Sequence, residues 1–214
     1  MAAGILPLPP DGGISPALLV PLYLAVLRCE RCPSTCVLRD ADTNVPQPGW
    51  VGRRYVPGRS VMFIGQNPGV RKAATAWADE PYIAALRAVA DEKSIERLLD
   101  TMARSLPVFH LYRHYIPLEY LEDVAIVNAV RCRTPEDGRV PDAATENCSD
   151  HLRTWLAKLR PRAVVFNGLW ASRAAHRPVA DLGIPTETIN RLRSLSTEAR
   201  QAQRDRVLAL LEAT

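Results

Sequence analysis

The sequence predicts an α/β fold in which helices cover both faces of a mainly parallel sheet. Three short apolar runs have the length of buried strands, and segments with helical patterns separate them. Strands that alternate with helices pair in parallel, because each helix carries the chain back across the sheet. The three runs are residues 61–64, 124–130 and 163–166.

The length and composition of the chain fit one globular domain. Its 214 residues can bury one substantial core, and we expect a flexible lead at 1–14 followed by a single domain at 15–214. The net charge of +4 comes mainly from arginine, which suits a polyanionic partner and is also typical of a GC-rich genome. Since no apolar run reaches roughly 18 residues and residues 1–13 lack a basic stretch, we expect neither a membrane span nor a secretory signal.

The helices are predicted from their caps and their amphipathic spacing. Ser15 and Pro16 supply a side-chain cap and a first-turn proline for a helix that runs to about Leu27. A second amphipathic pattern covers 142–159, and Pro161 stops it. Further helices are predicted at residues 80–90, 94–105, 169–176 and 197–211.

Three stretches carry no clear helical or strand pattern, and the first and the last of them are predicted as loops. Residues 33–58 are rich in proline and glycine, residues 106–120 are aromatic and broken by proline, and residues 183–196 are basic. Long loops in compact domains are usually functional or anchored by another feature. For residues 33–58, a neighbouring cysteine site would supply such an anchor.

Uncharged amides follow the first two predicted strands. The run 61–64 ends in Gly65-Gln66-Asn67-Pro68-Gly69, whose glycines and proline suit a tight loop, and Asn128 lies near the end of the next run. Ligands of open α/β sheets bind at the carboxyl ends of the strands. We therefore expect these amides to face a binding crevice, the alternative being an ordinary strand-to-helix turn and a turn asparagine.

Four of the five cysteines form two pairs, and we expect them to hold one metal centre. Cys29 and Cys32 form a CxxC motif at the end of a helix, and Cys132 and Cys148 flank a loop. The turn within a CxxC motif directs both sulfurs to the same side, which suits zinc and iron–sulfur clusters alike. Buried free thiols are the alternative. Cys36 replaces one of the four or is a free thiol.

With these motifs together, the chain resembles the uracil-DNA glycosylase superfamily, and most closely its iron–sulfur branch, family 4. That branch has a CxxC motif before a G-E-A-P-G loop, and a later N-x-x-K-C-R-P-P segment carries its third cysteine. Here residues 65–69 and Asn128-x-x-Arg131-Cys132-Arg133-Thr134-Pro135 correspond to these motifs, and Cys148 keeps the spacing of the fourth cysteine. The resemblance covers residues 27–175 and implies a three-layer α/β/α fold with a mainly parallel sheet of four strands.

The resemblance also has departures. Family 4 carries a carboxylate at the second loop position, where this chain has Gln66, and Asn67 matches the G-x-N-P-G loops of mismatch-specific and single-strand-selective members. The late H-P-S motif is absent, and Asn190 to Ser196 is the nearest candidate. We therefore expect Asn67, Gln66 and Asn190 to be the catalytic residues. Asn67 would position the water through its amide oxygen and not act as a base, because a carboxamide cannot accept a proton at neutral pH.

The resemblance implies a flipped uracil held beside the loop. Asn128 would read the O4 and N3–H edge of the base, and Gly65, Pro68 and Gly69 would line its site. Tyr82 resembles the aromatic residue that stacks on the base in the family, and Trp77 is its rival. A core role is the alternative for either ring.

The remaining expectations concern partners. Arg191 and Arg193 would hold DNA phosphates while Leu192 fills the gap left by the flipped base; a solvated basic loop is the alternative. The resemblance implies a structural [4Fe-4S] cluster, with Zn as the alternative, in a cytoplasmic, nucleoid-associated monomer that acts on DNA containing uracil or another deaminated base. A DNA-binding member with weak or lost activity and an unrelated zinc-stabilised nucleotide-binding module are the competing interpretations.

Overall fold

The computed structural model describes residues 13–37, 45–68, 80–105, 114–134, 139–190 and 195–213. Six α-helices and five strands lie in these ranges, with a 3-10 helix at Leu118–Asp123. The helices are α1 Pro16–Leu27, α2 Glu80–Arg87, α3 Glu92–Ser105, α4 Asp142–Leu159, α5 Leu169–Ala180 and α6 Thr197–Glu212. The strands are β1 Trp50–Val51, β2 Val61–Gly65, β3 Val124–Asn128, β4 Ala163–Asn167 and β5 Thr186–Ile189.

The strands form one central sheet in the order β1-β3-β2-β4-β5, flanked by helices. Every pairing is parallel except that between β1 and β3. The α/β class and the mainly parallel sheet are therefore confirmed. Strand β2 lies at the centre of the sheet, and all five of its residues are buried.

The expectation of four strands is wrong, because the sheet has five. Strand β1 has only two residues and lies in the proline-rich stretch predicted as a loop. Strand β5 lies inside the predicted loop 183–196, and its polar, partly exposed residues form no apolar run. Both strands are held by backbone pairing with a neighbour, which does not require a hydrophobic pattern.

The helix predictions are largely confirmed, with one clear difference in length. Helix α5 continues past the predicted end at residue 176 to Ala180, although Pro178 lies in its last turn. Helix α1 has the predicted cap, since the Ser15 side chain accepts a hydrogen bond from the Ala17 backbone N–H. Within the described parts of the chain, we find no helix with the length and apolar character that a membrane crossing requires.

The described ranges leave several predicted features untested. Three of these features lie outside the described ranges: residues 1–12 of the predicted lead, residues 69–79 after the amide-bearing loop, and residues 106–113 of the aromatic stretch. In the described part of the predicted lead, Ile14 packs against the main core with a side chain that is 9% exposed.

Candidate active site

The carboxyl ends of the four parallel strands all carry amide side chains. Gln66 and Asn67 follow β2, Asn128 ends β3, Asn167 ends β4 and Asn190 follows β5. Since the strands are parallel and adjacent, these amides lie along one edge of the sheet. That edge is where open α/β sheets bind ligands.

Backbone pairing brings the loop after β2 against the loop after β3. Gly65 lies opposite Asn128 in the parallel register. The ladder continues past both strands, because the Ala129 N–H donates to the Gly65 carbonyl at 2.8 Å and the Val130 N–H donates to the Gln66 carbonyl at 3.0 Å. The segments that carry Asn67 and Asn128 are thus fixed side by side.

Asn67 is oriented by its amide nitrogen. Its Nδ2 lies 3.3 Å from the Pro68 carbonyl and 3.3 Å from the Thr134 hydroxyl, and Thr134 is buried. The side-chain oxygen makes no hydrogen bond to any residue in the described ranges. Since Asn67 is only half-buried, this oxygen can accept a hydrogen bond from a water molecule.

The other residues predicted to bind substrate lie in different surroundings. Asn128 is half-buried, Pro68 is buried, and Gly69 is outside the described residues. Tyr82 lies on α2 and is only 2% exposed, so its ring belongs to the main core in this structure. Its stacking on a base stays a prediction, and its rival Trp77 also lies outside the described residues.

Asn190 is held by its backbone, while its side chain is exposed. The Asn190 N–H donates to Gln203 Oε1 at 2.7 Å, and the Asn190 carbonyl accepts from the Tyr115 hydroxyl at 3.1 Å. Gln203 Nε2 donates in turn to the same hydroxyl at 3.1 Å. Gln203 and Tyr115 are buried and fix the start of the predicted DNA-binding loop. Arg191, Leu192 and Arg193 of that loop lie outside the described residues.

Sequence reasoning missed Gln203, although a signal was present. Gln203 precedes Val207 and Leu211 at steps of four along α6, and all three are the buried residues of that helix. A polar residue on the buried face of a helix requires hydrogen-bond partners. Its position therefore pointed to a polar network beneath α6, although the partners could not be read from the sequence.

The cysteines come together in a small apolar cluster separate from the main core. This cysteine cluster contains the buried Cys32, Cys132 and Cys148, and the half-buried Cys36 packs against it. Burial raises the pKa of the Cys148 thiol, with a smaller rise from the nearby thiols of Cys32 and Cys29. The fold therefore brings the two predicted pairs to one place.

Polar contacts join the CxxC segment to α4. Arg31 forms an ion pair with Asp150 at 2.8 Å, and the Asn147 side chain donates to the Arg31 carbonyl at 3.0 Å. The same Asn147 Nδ2 lies 3.6 Å from the sulfur of Cys32. These contacts hold Cys32 against the helix that carries Cys148.

A buried arginine lies between the cysteine cluster and the main core. Arg131 is 1% exposed, donates to the Pro48 carbonyl through Nη1 and lies 4.7 Å from the centre of the Trp155 ring. Its Nε and Nη2 are buried and have no hydrogen-bond partner within the part of the chain that the structure describes. Burial lowers its pKa to about 10, while Cys148 and Cys132 act in the opposite direction. A cation is thus held beside the thiols.

The thiols are close, yet they do not form a complete ligand set in this arrangement. Across the described ranges, no three His, Cys, Asp or Glu side chains are placed so that they could hold a metal ion. The four sulfurs and the neighbouring guanidinium still match the chemistry of an anionic metal–thiolate centre.

Comparison with known proteins identifies a family for this chain. The sequence profile described as "Uracil DNA glycosylase superfamily" matches residues 54–211, which is most of the chain. The chain is also similar to the type-4 uracil-DNA glycosylase of Archaeoglobus fulgidus, with 25% identity over 153 residues that cover 69% of this chain. It spans 58% of the length of that relative. By its sequence and its fold, the chain belongs to the uracil DNA glycosylase superfamily.

Proposed function

We propose that this protein is a DNA glycosylase that hydrolyses the N-glycosidic bond of uracil, or of a related deaminated base, in DNA. The observation that carries the proposal is the pairing of Gly65 with Asn128, which joins the Asn67 loop to a half-buried amide at the centre of the sheet edge. The similarity to a type-4 uracil-DNA glycosylase supports the same substrate class. We expect the protein to act as a monomer.

The reaction joins a water oxygen to C1′ of the deoxyribose and breaks the bond from C1′ to N1 of uracil. The base departs as an anion, and the proton of the attacking water passes to the surrounding solvent. In the proposed mechanism, Asn67 Oδ1 accepts a hydrogen bond from the attacking water, because its Nδ2 is already engaged by Pro68 and Thr134. Asn128 would hold the base, and its N–H donors would favour the negative charge that develops there.

The catalytic loop supports slow rather than fast chemistry. Neither Gln66 nor Asn67 can remove a proton from water at neutral pH, and general-base help is typically worth about 10²–10⁴ in rate. Asn190 is exposed at the same edge, where its side chain can approach the leaving group. A DNA-binding protein without turnover is the second candidate, favoured by the amide in place of a carboxylate at Gln66.

Cys29, Cys32, Cys132 and Cys148 are the residues that would hold a [4Fe-4S] cluster, with zinc as the alternative. Such a cluster would tie the CxxC segment and α4 to the sheet, and hydrolysis does not need its electrons. Arg131 supports this proposal, because its buried guanidinium interacts electrostatically with Cys148 and Cys132, whose thiols are anionic when bound to metal.

Uracil cleavage is tested with an oligonucleotide that contains one uracil, followed by alkaline cleavage of the abasic product. We expect cleavage by the natural protein, a strong loss in Asn67→Ala and a loss of base selectivity in Asn128→Ala. Gln201→Ala is the matched control, since Gln201 is an exposed amide that bonds Asp205 on α6. Tight DNA binding without cleavage would favour the second candidate instead.

The cofactor is tested by anaerobic purification and measurement of iron, sulfide, zinc and absorbance near 400 nm, where iron–sulfur clusters absorb. Cys148→Ala should lose the bound metal, whereas Cys36→Ala should retain it. Iron-free protein with stoichiometric zinc would select the alternative metal. Loss of metal in Cys36→Ala would make Cys36 a ligand.

A further inference from the structure

Asn167, the last residue of β4, takes no part in the proposed mechanism. It is half-buried, and its side chain makes no hydrogen bond to the described parts of the chain. The backbone around it is well fixed, because Gly168 has a φ of 96° and donates its N–H to the Ile189 carbonyl at 2.7 Å. An asparagine that serves a turn bonds the neighbouring backbone, and this side chain does not.

The sheet register puts Asn167 and Asn128 on either side of Gly65. Gly65 is opposite Asn128 on one side, and Ile64 is opposite Phe166 on the other. Continuing the second register by one residue sets Asn167 beside Gly65. Neighbouring strands lie about 4.8 Å apart, so the two asparagine Cα atoms are about 10 Å apart across β2.

Residues in register across a sheet project from the same face. Asn128 and Asn167 therefore direct unengaged amides to one side of the sheet, and Gly65 between them has no side chain to fill the space. Two carboxamides thus flank the buried backbone of Gly65, and we call the space between these amides the slot. At the ligand-binding edge, two half-buried amides that make no hydrogen bond to the described residues can bind a polar planar ligand.

We propose that Asn167 is a second base-recognition residue, which with Asn128 forms a two-amide slot over Gly65 for a base that carries two carbonyl groups. The proposal rests on the proposed glycosylase function. Uracil has carbonyl oxygens on both sides of its N3–H, and two carboxamides supply a donor for each oxygen and an acceptor for the N–H. Asn128 reads the O4 side, and Asn167 reads the O2 side.

The slot favours bases with paired carbonyls. Uracil and xanthine have two, whereas hypoxanthine has one and would leave the Asn167 amide without its partner. A site built to hydrogen-bond a substrate group discriminates against an analogue that lacks it, because its own polar groups then stay unpaired. Asn167 would thus contribute to the choice among deaminated bases.

The test measures binding of three oligonucleotides: one with non-cleavable 2′-fluoro-2′-deoxyuridine, one with an abasic analogue and one with thymine. We expect Asn167→Ala to weaken binding of the uracil analogue about tenfold and to leave abasic binding unchanged, since one hydrogen bond to the base is lost. A structural defect would weaken binding of both. Asn167→Asp keeps the side-chain size but repels a carbonyl oxygen, and it serves if the alanine variant does not fold.

Equal binding of the uracil analogue by the natural protein and both variants would overturn the role of Asn167. Gln201→Ala, outside the site, is the control and should bind every oligonucleotide as the natural protein does. The failure of the broader proposal is distinct, because then the natural protein neither cleaves uracil nor prefers the uracil analogue over thymine.

Discussion

Replacing Gln203 tests how the sheet edge is held in place. Gln203→Met keeps the length of the side chain and its burial but removes both polar atoms. Two well-formed hydrogen bonds disappear, from the Asn190 N–H at 2.7 Å and to the Tyr115 hydroxyl at 3.1 Å. At about 1 kcal/mol for each bond, the free energy of unfolding should fall by about 2 kcal/mol.

The measurement is urea denaturation of the natural protein and two variants, with the slope of the transition checked for constancy. Gln201→Met is the matched control, since Gln201 forms only an exposed bond to Asp205 on the same helix. Its cost should stay below about 0.5 kcal/mol. If Gln203→Met lowers the free energy of unfolding by no more than this control, the hydrogen bonds of Gln203 do not stabilise the fold as proposed.

The same substitution should also affect DNA cleavage. Because the Asn190 backbone loses one of its anchors, the side chain of Asn190 becomes less well positioned. We expect kcat to fall more than KM rises, as positioning contributes mainly to the transition state. An unchanged kcat with the full loss of stability would assign Gln203 a purely structural role.

Three further predictions follow. Gln66→Glu should speed uracil cleavage, by up to about 10²–10⁴, and single-turnover assays should show this gain disappearing below the carboxyl pKa of about 4.3. The Ser94 N–H and hydroxyl lower the pKa of Asp91, so its contribution to stability is complete above its unfolded pKa and is lost as the pH falls through the folded pKa. In Asp91→Asn, the free energy of unfolding measured by urea denaturation should therefore fall less steeply as the pH is lowered. Arg131→Met should change the stability of the metal-free protein by less than about 1 kcal/mol, because an apolar chain replaces a buried cation with two unpartnered nitrogens; a loss above about 3 kcal/mol would contradict this.

Several parts of the fold were predictable because their signals are local. Apart from the asparagines that end β3 and β4, strands β2, β3 and β4 consist of buried residues in apolar runs, which are visible in the sequence alone. The side-chain cap of α1 and the amphipathic spacing of α4 are equally local. Strands β1 and β5 were missed because their positions depend on the neighbours with which they pair.

The residues of the candidate site likewise fall into two groups, those with a local sequence signal and those defined only by distant contacts. The sequence singled out Asn67, Asn128 and the cysteines, since residue types in a characteristic spacing carry chemical information without a structure. It did not distinguish Asn167 or Gln203, whose neighbours are more than ten residues away in the chain. Their importance comes from contacts that exist only after the sheet and α6 have packed.

The sequence by itself determined the α/β class, the amide-bearing loop after β2 and the set of thiols available to a metal. Tertiary structure decided that the sheet has five strands, that Gly65 lies beside Asn128 and that Gln203 anchors Asn190. The physical reason is that hydrophobic periodicity and capping act over a few residues, whereas register and buried hydrogen bonds join segments distant in the chain. The local sequence pattern identifies the residue types that can react, and tertiary packing determines which of these residues come into contact.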